Sequence, residues 1–470
     1  MPCVYLGMKQ TLTALLILLT QLATAQDNRI QKIDSLLNAL YANKRINGNI
    51  LVAEKGKVIY NHSFGNANET TKEALNENSI FELASVSKQF TAMGIMLLKQ
   101  KGKLAIDDEI GKYIPELSFY KGVTIRHLLH HTGGLPDYMA LMDSVYDKSK
   151  IATNQDIIAL FSKHHPKPLF EPNSKYEYSN TGYALLASII EKVSGSTYAS
   201  FLSKNIFKPL HMDNSFVYTR RLQPKKIDNY AFGYVYSDSL KKYVLPDDLK
   251  ETQEVIWLDG IVGDGCVNST VNDLLKWDRA FYTNQLLPQA SINEAFEPAT
   301  LNNKTKTSYG FGWAIEDNAD FGKIVNHGGS WPGYATFIER ELTNDKTIIV
   351  LQNHEGSVLP VKTIRNILYN KALPVPKTRK EITLTTEQLQ KLVGVYEIQE
   401  GVEVTMTLDN GQLYTQLTGQ KAYPVFAESE LFFFLKVVDA QLQFEKDEHG
   451  QITKLYLLQN GRKLEANKIK

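Results

Sequence analysis

The 470-residue chain is 43% hydrophobic and 22% charged, with a formal net charge of +1. That balance excludes a disordered chain and supplies no electrostatic field for nucleic acid or a membrane surface. The length exceeds one ordinary core, so one large domain with an appendage is expected.

Lys9 precedes an apolar run from Leu12 to Leu22, and Ala23-Thr24-Ala25 has the small-x-small form of a cleavage site. Residues 1–25 therefore read as a signal peptide, and the protein as exported, secreted or periplasmic. The run is shorter than the roughly 20 residues of a spanning helix, which disfavours an anchor, and Met8 is an alternative start. Of the two cysteines Cys3 leaves with the leader, so Cys266 stands alone, an internal disulfide is excluded, and a small buried residue is the favoured reading.

Ile30, Ile33, Leu36, Leu37 and Leu40 predict a first amphipathic helix. Ile50 to Ala53 and Val58 to Tyr60, joined through Glu54-Lys55-Gly56-Lys57, predict a hairpin. Phe90, Met93, Leu97 and Leu98 predict an amphipathic helix stopped by Gly102, with Ser85 at its start. Helical patterns follow at Thr124 to His130 and Tyr183 to Val193, and Thr270 with Asp273 caps another. Late strands are expected at Trp313 to Ile315, Lys323 to Val325, Tyr334 to Ile338 and Thr347 to Leu351, then a closing helix from Val361 to Leu373. An early hairpin and late strands imply one antiparallel sheet assembled from both ends of residues 26–373, with the intervening helices forming a second lobe across a cleft. Residues 374–380, Pro-Val-Pro-Lys-Thr-Arg-Lys, read as a linker. Residues 381–470 read as a small all-β barrel or meander, its clearest hairpin turning at Asn410-Gly411.

Three short motifs carry chemistry. Ser85-x-x-Lys88 puts an ammonium over a serine hydroxyl at a helix start, where free backbone N–H groups also point. The same spacing occurs at Ser118/Lys121 and Ser239/Lys242, but neither opens a long helix. Tyr178-Ser179-Asn180 lies in a loop before a helix and offers a phenol as proton-transfer partner. His327-Gly328-Gly329, after the strand at Lys323, lets backbone approach a substrate, so that the N–H groups of Ser85 and Ser330 form an oxyanion hole. His131-Thr132-Gly133 is a competing candidate for this third element.

In this order the motifs resemble the serine β-lactamase and penicillin-binding-protein superfamily, in the branch with class C β-lactamases, D,D-carboxypeptidases, D-aminopeptidases and related esterases. Phe81 to Phe90, Thr124 to Leu135 and Tyr178 to Gly195 extend the likeness, which covers roughly residues 30 to 370. It implies an α+β fold: a two-lobed β-lactamase-like domain followed by the small all-β domain. It also implies that Ser85 becomes acylated, that Lys88 and Tyr178 share proton transfer, and that Asn180, His327, Gly328, Gly329 and Ser330 bind substrate, without cofactor or metal. Where class C enzymes carry lysine this chain has His327, mostly neutral near pH 7. That favours an esterase or D-amino-acid peptidase or amidase over efficient β-lactam hydrolysis. A zinc pair at His127 and His131 is disfavoured, His164-His165 read as a loop pair, and Trp331 is a possible pocket residue. The expected partner is a small-molecule or peptide substrate, with no nucleic acid and no membrane span after leader removal; the oligomeric state stays open. A catalytically silent binding protein on the same fold is the alternative.

Overall fold

The computed structural model describes residues 28–371, 380–399, 401–418, 422–436, 440–459 and 462–470. The expected leader, 1–25, and residues 374–379 of the expected linker lie outside the described residues. The chain divides into two units, Met1–Leu373 and Pro374–Lys470. Among the described residues no helix is long and apolar enough to cross a membrane.

In the first unit a helix over 28–42 leads into strands β1 (Gly48–Glu54) and β2 (Lys57–Phe64). The late strands are β3 (Ala314–Asn318), β4 (Gly322–Trp331), β5 (Tyr334–Glu341) and β6 (Lys346–Gln352). They form one antiparallel sheet in the order β3-β4-β5-β6-β1-β2, with Gly48 opposite Gln352 and Glu54 opposite Lys346. As expected, the two ends of the domain close the sheet. Strand alternation explains why its middle is buried on both sides. Ile50, Val52, Ile348 and Val350 pack with Ile33 and Leu37 of the first helix and with Ile364 and Ile367 of a helix at Val361–Leu368. Leu51, Ala53, Ile349 and Leu351 join the core of the helical lobe. That closing helix stops at Leu368 rather than Leu373, where its apolar spacing ends and Asn370 turns left-handed at φ 51°.

Two helices form the heart of the lobe, Lys88–Gln100 and Asn180–Ser194. The first was expected to be amphipathic, yet every residue from Lys88 to Leu98 is buried. It runs through the middle of the core, where a helix must be covered all round. Its approach to the second is so close at Gly94 that a Cβ there would meet Ile190 Cδ1 at 2.7 Å.

The second unit is a closed eight-stranded antiparallel barrel running from Gly394–Gln399 to Arg462–Lys468, in agreement with the barrel-like expectation. Its own core gathers Tyr396, Val404, Met406, Leu413, Phe433, Leu442, Phe444 and Leu455. Asn410 and Gly411, both at positive φ, make the two-residue turn joining Val402–Asp409 to Gln412–Leu417.

Candidate active site

Ser85 lies in a tight turn, Ala84–Ser87, that runs directly into the helix at Lys88. Ala84 is left-handed at φ 47°, a costly conformation for a residue with a Cβ. Neighbours hold it there: the Leu83 N–H donates to the Val267 carbonyl at 2.8 Å, and the Leu83 carbonyl accepts from Thr336 Oγ1 at 2.7 Å. The turn is pinned between the sheet and a short three-stranded sheet of Phe81–Glu82, Val267–Ser269 and Phe216–Val217.

Lys88 is fully buried. Its Nζ donates to Ser85 Oγ at 3.1 Å, to Asn180 Oδ1 at 2.9 Å and to the Asp264 carbonyl at 2.9 Å. Those three bonds use every donor of an ammonium, so Tyr178 meets it through its ring, 5.0 Å from Nζ to the ring centroid. Asn180 opens its helix and Ser179 caps it, Oγ accepting from the Gly182 N–H at 3.2 Å. Tyr178, just outside the cap, is 41% exposed and therefore open to a substrate.

Beneath Tyr178 lies His131, its ring centroid 4.3 Å from the tyrosine's. His131 Nδ1 accepts from the Ser179 N–H at 3.1 Å, and burial holds its pKa well below the usual imidazole range. His131 is thus a strut for the Tyr-Ser-Asn loop rather than the third motif. It also lies beyond the helix Ile125–Leu129, at φ 59°, so it does not share a helical turn with His127, whose Nδ1 accepts from the Thr124 N–H.

His327-Gly328-Gly329 sits within β4 rather than after it, because the ladder to β5 continues through Trp331 opposite Tyr334. His327 Nδ1 lies 2.6 Å from the Gly328 carbonyl, which can only accept, so this nitrogen carries the proton. Nε2 then accepts from the Tyr309 hydroxyl at 2.7 Å. Burial, reinforced by the Lys88 charge, pushes the imidazole down to about 3; the side chain is neutral. The ring centroids of His327 and Tyr178 are 6.2 Å apart. At Gly329 a Cβ would stand 2.2 Å from the Leu83 carbonyl and 3.1 Å from the Ser85 nitrogen, so only glycine lets β4 lie against the Ser85 turn.

Ser85 and exposed Ser330 both line a cavity of about 230 Å³, with Glu82, Asn180, Asp264 and Trp331 among its walls. Cys266 is half-buried in that wall, its thiol donating to the Ile261 carbonyl at 3.2 Å and kept protonated by burial. Ser118 and Ser239 lie elsewhere, after a turn at Pro115–Leu117 and between strands Val235–Ser237 and Lys242–Val244. Sequence reasoning missed Tyr309, Asp264 and Glu82. Tyr309 belongs to no motif. Asp264 lies two residues before Cys266, which alone of that stretch stands out in the sequence.

The Ser85 turn, a lysine bridge and a glycine strand meeting across the join of sheet and helical lobe define a class of protein, and a family model described as Beta-lactamase matches residues 33–369. The chain belongs to this family of serine hydrolases. A second model, described as Domain of unknown function (DUF3471), matches residues 378–467. Among individual proteins, Penicillin-binding protein 4* of Bacillus subtilis (strain 168) is 42% identical over 452 residues, covering 95% of this chain and all of that one. The octameric penicillin-binding protein homologue from Pyrococcus abyssi shares the fold at TM-score 0.63 and 24% identity, covering 93% of this chain and 100% of its own. The D-amino acid amidase from Ochrobactrum anthropi SV3 has TM-score 0.60 and 25% identity over 73% of this chain and 99% of its own.

Proposed function

We propose that the protein is an exported hydrolase in which the Ser85 oxygen attacks the carbonyl carbon of an ester or amide and holds the acyl group until water removes it. The observation that carries this reading is the Lys88 bridge. When Lys88 serves as the base, in its amine form, it lacks the hydrogen given to Ser85 in the ammonium and keeps the two that the Asn180 and Asp264 oxygens accept at 2.9 Å each. Its lone pair then faces the Ser85 hydroxyl at 3.1 Å. The proton taken from Ser85 is shared with Tyr178 and returned to the leaving oxygen or nitrogen. The developing oxyanion is met by the N–H groups of Ser85 and Ser330; one such donor is typically worth about 3 kcal/mol.

A neutral His327 offers no cation to a substrate carboxylate. The reading therefore favours an esterase or D-amino-acid peptidase or amidase over an efficient β-lactamase, a range that the likenesses to a penicillin-binding protein and a D-amino acid amidase support. Export rests on the leader pattern of residues 1–25.

Intact-mass analysis after a fluorophosphonate or penicillin tests the assignment. The native protein is expected to gain one adduct on Ser85, and Ser85→Ala to gain none while keeping its circular dichroism. An adduct elsewhere, or none with any reactive acyl donor, would overturn the reading in favour of a silent binding protein. A panel of p-nitrophenyl esters, D-aminoacyl anilides and nitrocefin ranks the substrates; nitrocefin as the preferred one would overturn the esterase or amidase assignment.

A further inference from the structure

The cavity beside Ser85 holds more negative charge than its surroundings answer. Glu82 lies in its wall three residues before Ser85, on the short strand laddered to Val267–Ser269. Among the described residues its carboxylate has no hydrogen-bond or ion-pair partner; the charges that act on it are Arg221, Asp259 and Arg220. Both arginines are already matched, Arg221 by Asp247 and Asp259, and Arg220 by Asp247. Asp264 also lines the cavity, its carboxylate accepting from the Tyr138 hydroxyl at 2.9 Å. Lys88 acts on Asp264, but its three hydrogens go to uncharged oxygens.

The balance is therefore two arginines against Asp247 and Asp259, and Lys88, even as an ammonium, alone against Glu82 and Asp264, with Asp137 adding to the negative side. At least one carboxylate lacks a counter-charge among the described residues. Consistent with that, burial drives the Glu82 carboxyl up to about 7 and raises that of Asp264. Asp259, held by Arg221, also reaches the wall with Ser85, Asn180 and Ser330, while Met139, Leu258, Ile261 and Trp331 give the cavity an apolar side.

We propose that Glu82 and Asp264 receive the ammonium of a substrate carrying a free amino group next to its scissile carbonyl, while its apolar side chain lies against Met139, Leu258, Ile261 and Trp331. The substrate class is then an amino-acid amide or ester, or a peptide cleaved after its free amino-terminal residue. The inference rests on the acyl-enzyme reading of Ser85, because an α-amino nitrogen is only two bonds from the carbonyl carbon under attack. Glu82 shares a short segment with Ser85, and the Asp264 carbonyl shares Lys88 with it, so both belong to the immediate surroundings of that carbon. A positive charge on the ligand answers carboxylate charge that the surrounding cations leave unmatched. A charge-assisted contact of this kind discriminates by about tenfold or more.

The test uses the full chain with D- and L-phenylalanine 4-nitroanilide and with 3-phenylpropionyl 4-nitroanilide, which differs only in lacking the ammonium. The native enzyme is expected to favour one of the charged anilides over the isostere by at least about tenfold in kcat/KM. Glu82→Gln and Asp264→Asn should each collapse that preference to within about threefold, mainly through KM. An isostere turned over as well as the charged substrates, or variants that slow both kinds in proportion, would overturn the proposal; the latter would leave Asp264 as a counter-charge to Lys88 only. Acylation of Ser85 by a p-nitrophenyl ester is measured alongside. If it occurs without a preference for the ammonium, this inference alone fails; if it does not occur, the Ser85 reading fails with it.

Discussion

His327 shows how one residue can be chemically specific yet electrically silent. Its free-solution pKa near 6.5 would let it switch charge in the physiological range, but burial against Lys88 brings it to about 3. The sign of the stability effect follows. The unfolded chain binds a proton as pH falls through 6.5 while the folded chain does not, so the His327 contribution is complete above 6.5 and is lost between there and about 3. Relative to His327→Gln, whose amide does not titrate, the native protein should lose stability on going from pH 7 to pH 4, by at most about 1.4 kcal/mol per pH unit. Thermal melts of the two proteins over that range check it, and a constant difference would contradict the burial effect. His327→Lys should raise turnover of carboxylate-bearing substrates relative to neutral esters; an unchanged ratio would show that this position does not read charge.

Elements matter where they touch, and here β4 touches the turn that carries Ser85. The two glycines of that strand are not equivalent. A Cβ on Gly329 would overlap the Leu83 carbonyl at 2.2 Å and Thr336 Oγ1 at 2.3 Å, whereas one on Gly328 would meet nothing nearer than the Phe337 ring edge at 3.3 Å. Gly329→Ala should therefore push the strand off the Ser85 turn, lowering the proposed acylation rate by about a hundredfold or more and stability by about 1–3 kcal/mol. Gly328→Ala should stay much nearer the native protein in both. Single-turnover acylation and denaturant titration of the two variants make the comparison, and equal losses would dissociate strand approach from the chemistry.

At the scale of the molecule, the sheet is completed only when β1 meets β6, nearly 300 residues later in the chain and with helices between, whereas the barrel closes within its own segment. The fragment 380–470 keeps a complete core of its own, so it should fold alone. Its expected signature is a single cooperative transition with β-type circular dichroism, and a non-cooperative melt would argue against autonomy.

What the residues announced unaided was local. The Asn410-Gly411 hairpin, the Thr270 cap and the apolar spacing of the helix beyond Lys88 could be read directly, because each arises within a few neighbouring residues. The Ser-Lys, Tyr-Asn and His-Gly motifs were recognisable for the same reason, and their order pointed to the family. The burial of that helix on every side, the continuation of β4 through His327, and the strut made by His131 could not be read, since each depends on what another part of the chain supplies. Charge state belongs to this second group: His327 and Glu82 have ordinary side chains whose protonation is decided by the cavity around them. Desolvation and distant counter-charges exist only once the chain is folded, and no sequence window contains them.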